Sequence, residues 1–177
     1  MMSGVMMRNA SQLVAEINAT FPETPYPSDH ILSDCWCEEC AWSVRNLRGK
    51  AWKQLRLADT NFSEGSRFSS KAFAYYLPAL MTLAVEHPDE LHLATEINSR
   101  FVVIEDASDH RVEQIQRMVT RLSKPQRTTL RHFFEWLKTQ DWQAPMLIDA
   151  AIVAVSDLSI TPVPMRSIHN ECQAEPR

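Results

Sequence analysis

Three of the four cysteines fall within six residues, in the run Asp34-Cys35-Trp36-Cys37-Glu38-Glu39-Cys40. Cys37 and Cys40 have the Cys-x-x-Cys spacing of half a zinc site, and His169-x-x-Cys172 near the other end has the spacing of a second half. Together they offer three thiolates and an imidazole, a donor set suited to tetrahedral Zn²⁺. Cys35 and His30 are local substitutes. A closed site of this kind would be structural and would tie the C-terminal tail to the helix that carries Cys37. A different reading uses the same residues. Cys37, Cys40 or Ala41, Val44 and Leu47 recur at helical spacing, so the thiols can act as small hydrophobes on a core-facing stripe. Helical phase favours burial, and the metal reading depends on His169 and Cys172 returning to that helix.

A nucleophilic role for these thiols is disfavoured. Thiolate formation needs a nearby cation or a helix N-terminus, whereas Asp34, Glu38 and Glu39 oppose it. A redox Cys-x-x-Cys belongs with alternating strands and helices, a pattern missing here. His87, His92, His110 and His132 form no His-Glu-x-x-His or His-x-His arrangement. Acidic neighbours such as Glu38-Glu39, Asp89-Glu90 and Glu105-Asp106 diverge on a helix and do not pair for acid–base work. No catalytic residue is expected.

The second chemical feature is charge. From Arg111 to Lys138 seven basic residues stand against Glu113 and Glu135, a net +5; the rest of the chain, which totals −4, therefore carries −9. Arg117, Arg121, Lys124, Arg127 and Arg131 form the candidate binding surface, since such asymmetry marks interaction surfaces. An ordinary solvated face on two amphipathic helices has the same composition. Phosphates of a nucleic acid could also be met by these cations. The overall acidity, and a better fit of Phe133, Phe134 and Trp136 to a core, weigh against that ligand.

Other classes are excluded by composition. The three glycines, Gly4, Gly49 and Gly65, are isolated, so no glycine-rich loop can bring backbone N–H groups onto a nucleotide phosphate. No apolar run approaches the ~20 residues of a membrane span. The start, MMSGVMMRN, lacks the charged and apolar regions of a signal peptide, so a cytoplasmic location with reduced cysteines is the expectation.

Helical periodicity must position these groups. Asn9 with Gln12 has capping-box spacing ahead of the stripe Leu13, Val14, Ile17 and Phe21. Pro22, Pro25 and Pro27 end that helix and make an extended connector. A second helix is expected from about Ser33 to Leu47, with Gly49 as its left-handed terminator. A short turn follows near Trp52 and Leu55. Ser69 caps a helix whose stripe runs through Phe73, Tyr76, Leu77, Leu80, Met81 and Ala84, with Phe68 as a staple on Phe73 and Pro78 kinking the middle. EHPDE opens a short helix, and FVVIE (Phe101 to Glu105) reads as a buried connector of strand-like composition. Val112, Ile115, Met118, Val119 and Leu122 mark the next helix. Ser123 and Gln126 repeat the capping box before the stripe Leu130, Phe133, Phe134 and Leu137. A final helix spans Met146 to Leu158. The pattern predicts an all-α, single-domain bundle of about six helices over residues 9–160, with loosely docked termini at 1–8 and 161–177.

Three phrases, PYPSDHILSDCWCEECAWSV, LRGKAWKQL and SSKAFAYYLPALM, resemble a bacterial family of small, mainly helical proteins of unknown function. Its marks are a Pro-rich connector, a Gly-Lys-x-Trp turn (here Gly49 to Trp52) and a Phe-x-Tyr-Tyr-Leu-Pro-Ala helix (Phe73 to Ala79). The resemblance covers about residues 11 to 85, and more loosely 123 to 137, with 87 to 109 as an insert. It implies a compact cytosolic protein and supplies no catalytic residues. By analogy of type, compact, acidic, motif-poor bacterial proteins often serve as immunity proteins that block a toxin or as accessory binding modules. The sequence therefore leads to a non-enzymatic protein-binding module, an immunity-like inhibitor of a bacterial effector. A structural zinc site and a nucleic-acid contact through 111–138 are the alternatives, and the oligomeric state is left open.

Overall fold

The structure is a computed structural model that describes residues 9–32, 41, 45–60, 69–103, 109–140 and 145–157. Helix is the only regular secondary structure among them: α1 (Ala10–Thr20), α2 (Ser70–Glu86), α3 (Leu91–Ser99), α4 (Asp109–Arg121), α5 (Lys124–Leu137) and α6 (Pro145–Asp157), with 3₁₀ turns at Asp29–Ile31, Trp52–Gln54 and Leu57–Thr60. The all-α bundle read from periodicity is the observed architecture.

The helix starts follow local chemistry. At α1 the Asn9 side chain accepts from the Gln12 amide at 2.9 Å and the Gln12 side chain accepts from the Asn9 amide at 3.1 Å, which satisfies two donors that a bare helix start leaves orphaned. At α5 the Ser123 side chain accepts from the Gln126 amide at 3.4 Å and the Gln126 side chain accepts from the Ser123 amide at 2.9 Å. Ser69 Oγ accepts from the Ala72 amide at 3.0 Å and starts α2. Pro78 lies inside α2, where it has no N–H to offer the Ala74 carbonyl. Gly49 has φ +72°, the left-handed conformation expected of it. Residues 45–47 before it are helical, and Leu47 is buried while Ala41 is exposed. Ala41 is therefore not on the buried stripe that spacing offered it. The remainder of that second helix, with Cys35, Cys37 and Cys40, lies outside the described residues. So do Phe68 and both termini.

The helices close a ring. α1 packs on α2 and α5, α2 on α3, α3 on α6, and α6 on α5, while α4 lies against α2. One continuous hydrophobic core fills it. Within it an aromatic chain of four rings crosses α2, the connector after α3 and α5: Phe73 meets Phe101 at 6.1 Å, Phe101 meets Phe134 at 5.6 Å, and Phe134 meets Phe133 at 5.7 Å between ring centroids. These tilted and edge-on contacts add about 0.5–1.5 kcal/mol each beyond area burial. Phe101, Val102 and Val103 run as non-helical, buried chain between α3 and α4. Their strand-like composition thus reflects burial on all sides and not sheet pairing.

Two polar clusters brace the ring. On one side Glu16 of α1 meets α5: its Oε1 lies 2.7 Å from His132 Nδ1 and accepts from Thr129 Oγ1 at 3.1 Å. Thr129 Oγ1 is also 3.0 Å from Thr20 Oγ1. On the other side, all three tyrosines of the chain gather around the Pro-rich connector. Tyr26 donates to Asp29 Oδ1 at 2.8 Å, and Tyr75 donates to the Thr24 carbonyl at 3.0 Å. Tyr76 donates to the Lys50 carbonyl at 2.9 Å and lies 3.3 Å from that of Leu47. The Tyr-Tyr pair of α2 and the Gly-Lys-x-Trp turn, two marks of the resemblance, therefore touch each other.

Candidate functional site

The five cations proposed as a binding surface divide into two groups. Lys124, Arg127 and Arg131 recur at i, i+3 and i+7 on α5 and so share a helix face. With Thr128 of the same helix and Val155 and Ser156 at the end of α6, they line one concavity of about 200 Å³. Arg117 and Arg121 stand on the exposed side of α4 and do not line it. The structure thus brings three of the five together.

Their partners set how much charge is available. Lys124 and Arg121 make no side-chain ion pair among the described residues. Arg127 Nη1 donates to the Leu122 carbonyl at 2.9 Å, which anchors one side of its guanidinium and leaves the charge uncompensated. Arg131 Nε lies 3.6 Å from Glu135 Oε1, a long contact one helical turn away. Arg117, by contrast, is paired with Glu113 at 2.6 Å. The concavity therefore keeps a net positive charge. Part of it offsets the partial negative charge that the last carbonyls of α6 present beside Val155 and Ser156.

Two cations counted in the +5 segment serve elsewhere. Arg111 is half-buried and donates to the Ser99 carbonyl, fastening α4 to the end of α3. Burial and the neighbouring Arg100 hold its guanidinium below its ordinary pKa, with Glu96 opposing them. Lys138 pairs with Asp149 of α6 at 2.6 Å. A count along the sequence treats all seven as surface charge, whereas tertiary packing uses these two as fasteners.

The metal reading rests on residues that are not described: Cys35, Cys37, Cys40, His169 and Cys172. Among the described residues no group of three or more His, Cys, Asp or Glu side chains is arranged to hold an ion. His30 is exposed in its 3₁₀ turn. The three aromatic residues read as core and not as a stacking surface for nucleobases are buried: Phe133 and Phe134 fully, and Trp136 to 8% exposure.

A larger cleft was not foreseen. It holds about 470 Å³ at the far end of α5, between the end of α2, the start of α3 and residues 136–140. Its lining comes from segments more than 40 residues apart (Ala84 and Gln140 are its extremes), so no single stretch of sequence signals it. Asp89 and Glu90 were legible as an acidic pair, but not as its lip.

No described helix is long and apolar enough to cross a membrane. No curated protein matches the chain, and no solved structure does. Residues 38–154 match a family of unknown function, DUF6714. That match begins after the Pro-rich connector and runs through 87–109, the segment read as an insert, so the buried connector at Phe101 to Val103 and helix α3 lie within it. With two thirds of its length matched in one continuous span, the chain belongs to this family of unknown function, DUF6714.

Proposed function

We propose that this protein is a non-enzymatic binding module that takes an acidic segment of a partner protein on α5. The observation that carries the reading is the convergence of Lys124, Arg127 and Arg131 on one concavity with the hydroxyl-bearing Thr128 and Ser156. Such a surface attracts carboxylates over a distance and orients them on arrival. At about 200 Å³ it is smaller than the ~300–1,000 Å³ typical of small-molecule sites. It carries no His, Cys or carboxylate in its lining to move a proton or attack a bond. An immunity-like inhibitor, which covers the working surface of an effector, is the role that this combination suits. The cytoplasm is the compartment that accompanies it.

The test uses the full-length protein as bait in native lysate treated with nuclease. A protein partner should be retained at low salt, released as salt rises, and lost with the double variant Lys124→Glu, Arg127→Glu. Retention that survives that variant, or that disappears with nuclease treatment because nucleic acid was the ligand, would remove the proposal. So would turnover of a small molecule that is abolished by Cys37→Ser.

A further inference from the structure

The cleft at the opposite end of α5 has a chemistry that is the reverse of the cationic concavity's. Ala84, Ala94, Trp136 and Leu137 form an apolar floor that is almost closed to solvent by side-chain packing. Leu91 stands on its edge and is 60% exposed, the most exposed large hydrophobic side chain among the described residues. Beside it, Asp89 and Glu90 put two carboxylates on the lip. Asp89 makes no side-chain hydrogen bond or ion pair among the described residues, and Glu90 has only His92, at 3.3 Å. Lys138, which follows Leu137 of the floor, is occupied by Asp149. The lip is thus an uncompensated acidic edge over an apolar floor.

We infer that this cleft docks a protein segment in which a large apolar side chain stands next to lysine or arginine. The apolar side chain covers Trp136 and Leu137, and the base meets Asp89 and Glu90. A segment laid across the edge buries more of Leu91 than a small molecule within the cleft does. About 470 Å³ lies within the range of pockets that hold a specific ligand. On α5 the concavity is lined as far as Arg131 and the cleft from Trp136 onward, about 7.5 Å of helix rise apart, and the two share no lining residue, so they can be occupied independently.

The experiment titrates the full-length protein with a fluorescein-labelled octapeptide whose central Leu-Phe pair is flanked by lysines. A control peptide has glutamate in place of each lysine. The lysine peptide should bind saturably and shift the amide resonances of Leu91 and Ala94 and the indole resonance of Trp136. Reversing the lip with Asp89→Lys and Glu90→Lys should weaken binding about tenfold or more, and Leu91→Asp should do the same. Both sets lie on the surface, and an unchanged unfolding midpoint will show that the fold is retained. Arg127→Glu, which removes the first site, should leave this affinity unchanged, so failure of either site is read separately. Equal binding of the two peptides, shifts confined to other residues, or no binding at about millimolar peptide would each overturn the inference.

Discussion

The Tyr76 hydroxyl on α2 donates to the Lys50 carbonyl 26 residues earlier in the chain, at 2.9 Å, and ties the Gly49 turn to the longest helix. The side chain is fully buried, so the proton has no water to meet if that contact is broken. Burial comes first, and the turn supplies the acceptor that burial requires.

Tyr76→Phe should therefore lower stability by about 1–2 kcal/mol, because the Lys50 carbonyl loses its partner while the ring still packs. Urea unfolding followed by circular dichroism measures this. An unchanged midpoint would show that the turn satisfies itself without the phenol.

All three tyrosines belong to this cluster, so phenolate absorbance reports it alone. Burial first, then Asp29, pushes Tyr26 up to about 12. Burial also raises Tyr75 and Tyr76. A group with a raised folded pKa holds its proton longer in the native state. Its contribution to stability is complete below the unfolded value of about 10 and is lost as pH rises from there through the folded values. The native protein should show little phenolate at about pH 10–11, where the urea-unfolded chain ionises. Superimposable titrations of the two states would contradict this.

Gly49 has φ +72° and nothing within 4 Å of where a Cβ would stand. Gly49→Ala should cost about 1–2 kcal/mol from conformation alone, and Gly49→Asn distinctly less, since asparagine tolerates the left-handed region better. Thermal unfolding of the two variants separates them. Equal losses would point to a steric cause that this geometry lacks.

Glu16 and His132 are 116 residues apart in sequence and 2.7 Å apart in space. Replacing either with alanine should destabilise by about 1–3 kcal/mol. The double variant should lose less than the sum, with a coupling of about 0.5–3 kcal/mol. Strict additivity in a double-mutant cycle would mean that the contact contributes nothing.

Much of the scaffold was legible because it is local. Asn9 with Gln12, and Ser123 with Gln126, are three residues apart, and a capping box needs nothing beyond that spacing. The stripes through Phe73 and Phe133 report a period that any single helix fixes. What escaped was tertiary. Arg111 and Lys138 read as surface cations until Ser99 and Asp149 are placed beside them. Ser156 could not be joined to Lys124 without knowing that α6 folds back on α5. The cleft around Trp136 draws on residues from 84 to 140, each unremarkable in its own segment. At 101–103 the strand-like composition was legible as a buried connector, because burial selects the same β-branched and aromatic residues without any sheet.

Helix α1 closes the ring against α2 and α5, but it ends at Thr20, well before residue 38 where the family match begins. The stretch that identifies the family is therefore shorter than the stretch that shares one core. A fragment trimmed to 38–154 would lack Leu13, Ile17 and Phe21 from its core, and Thr129 and His132 would lose their partners on α1. Expressing this chain from its family boundaries would cut through the wall of the bundle. The sequence upstream of the match is where that missing stave should be sought.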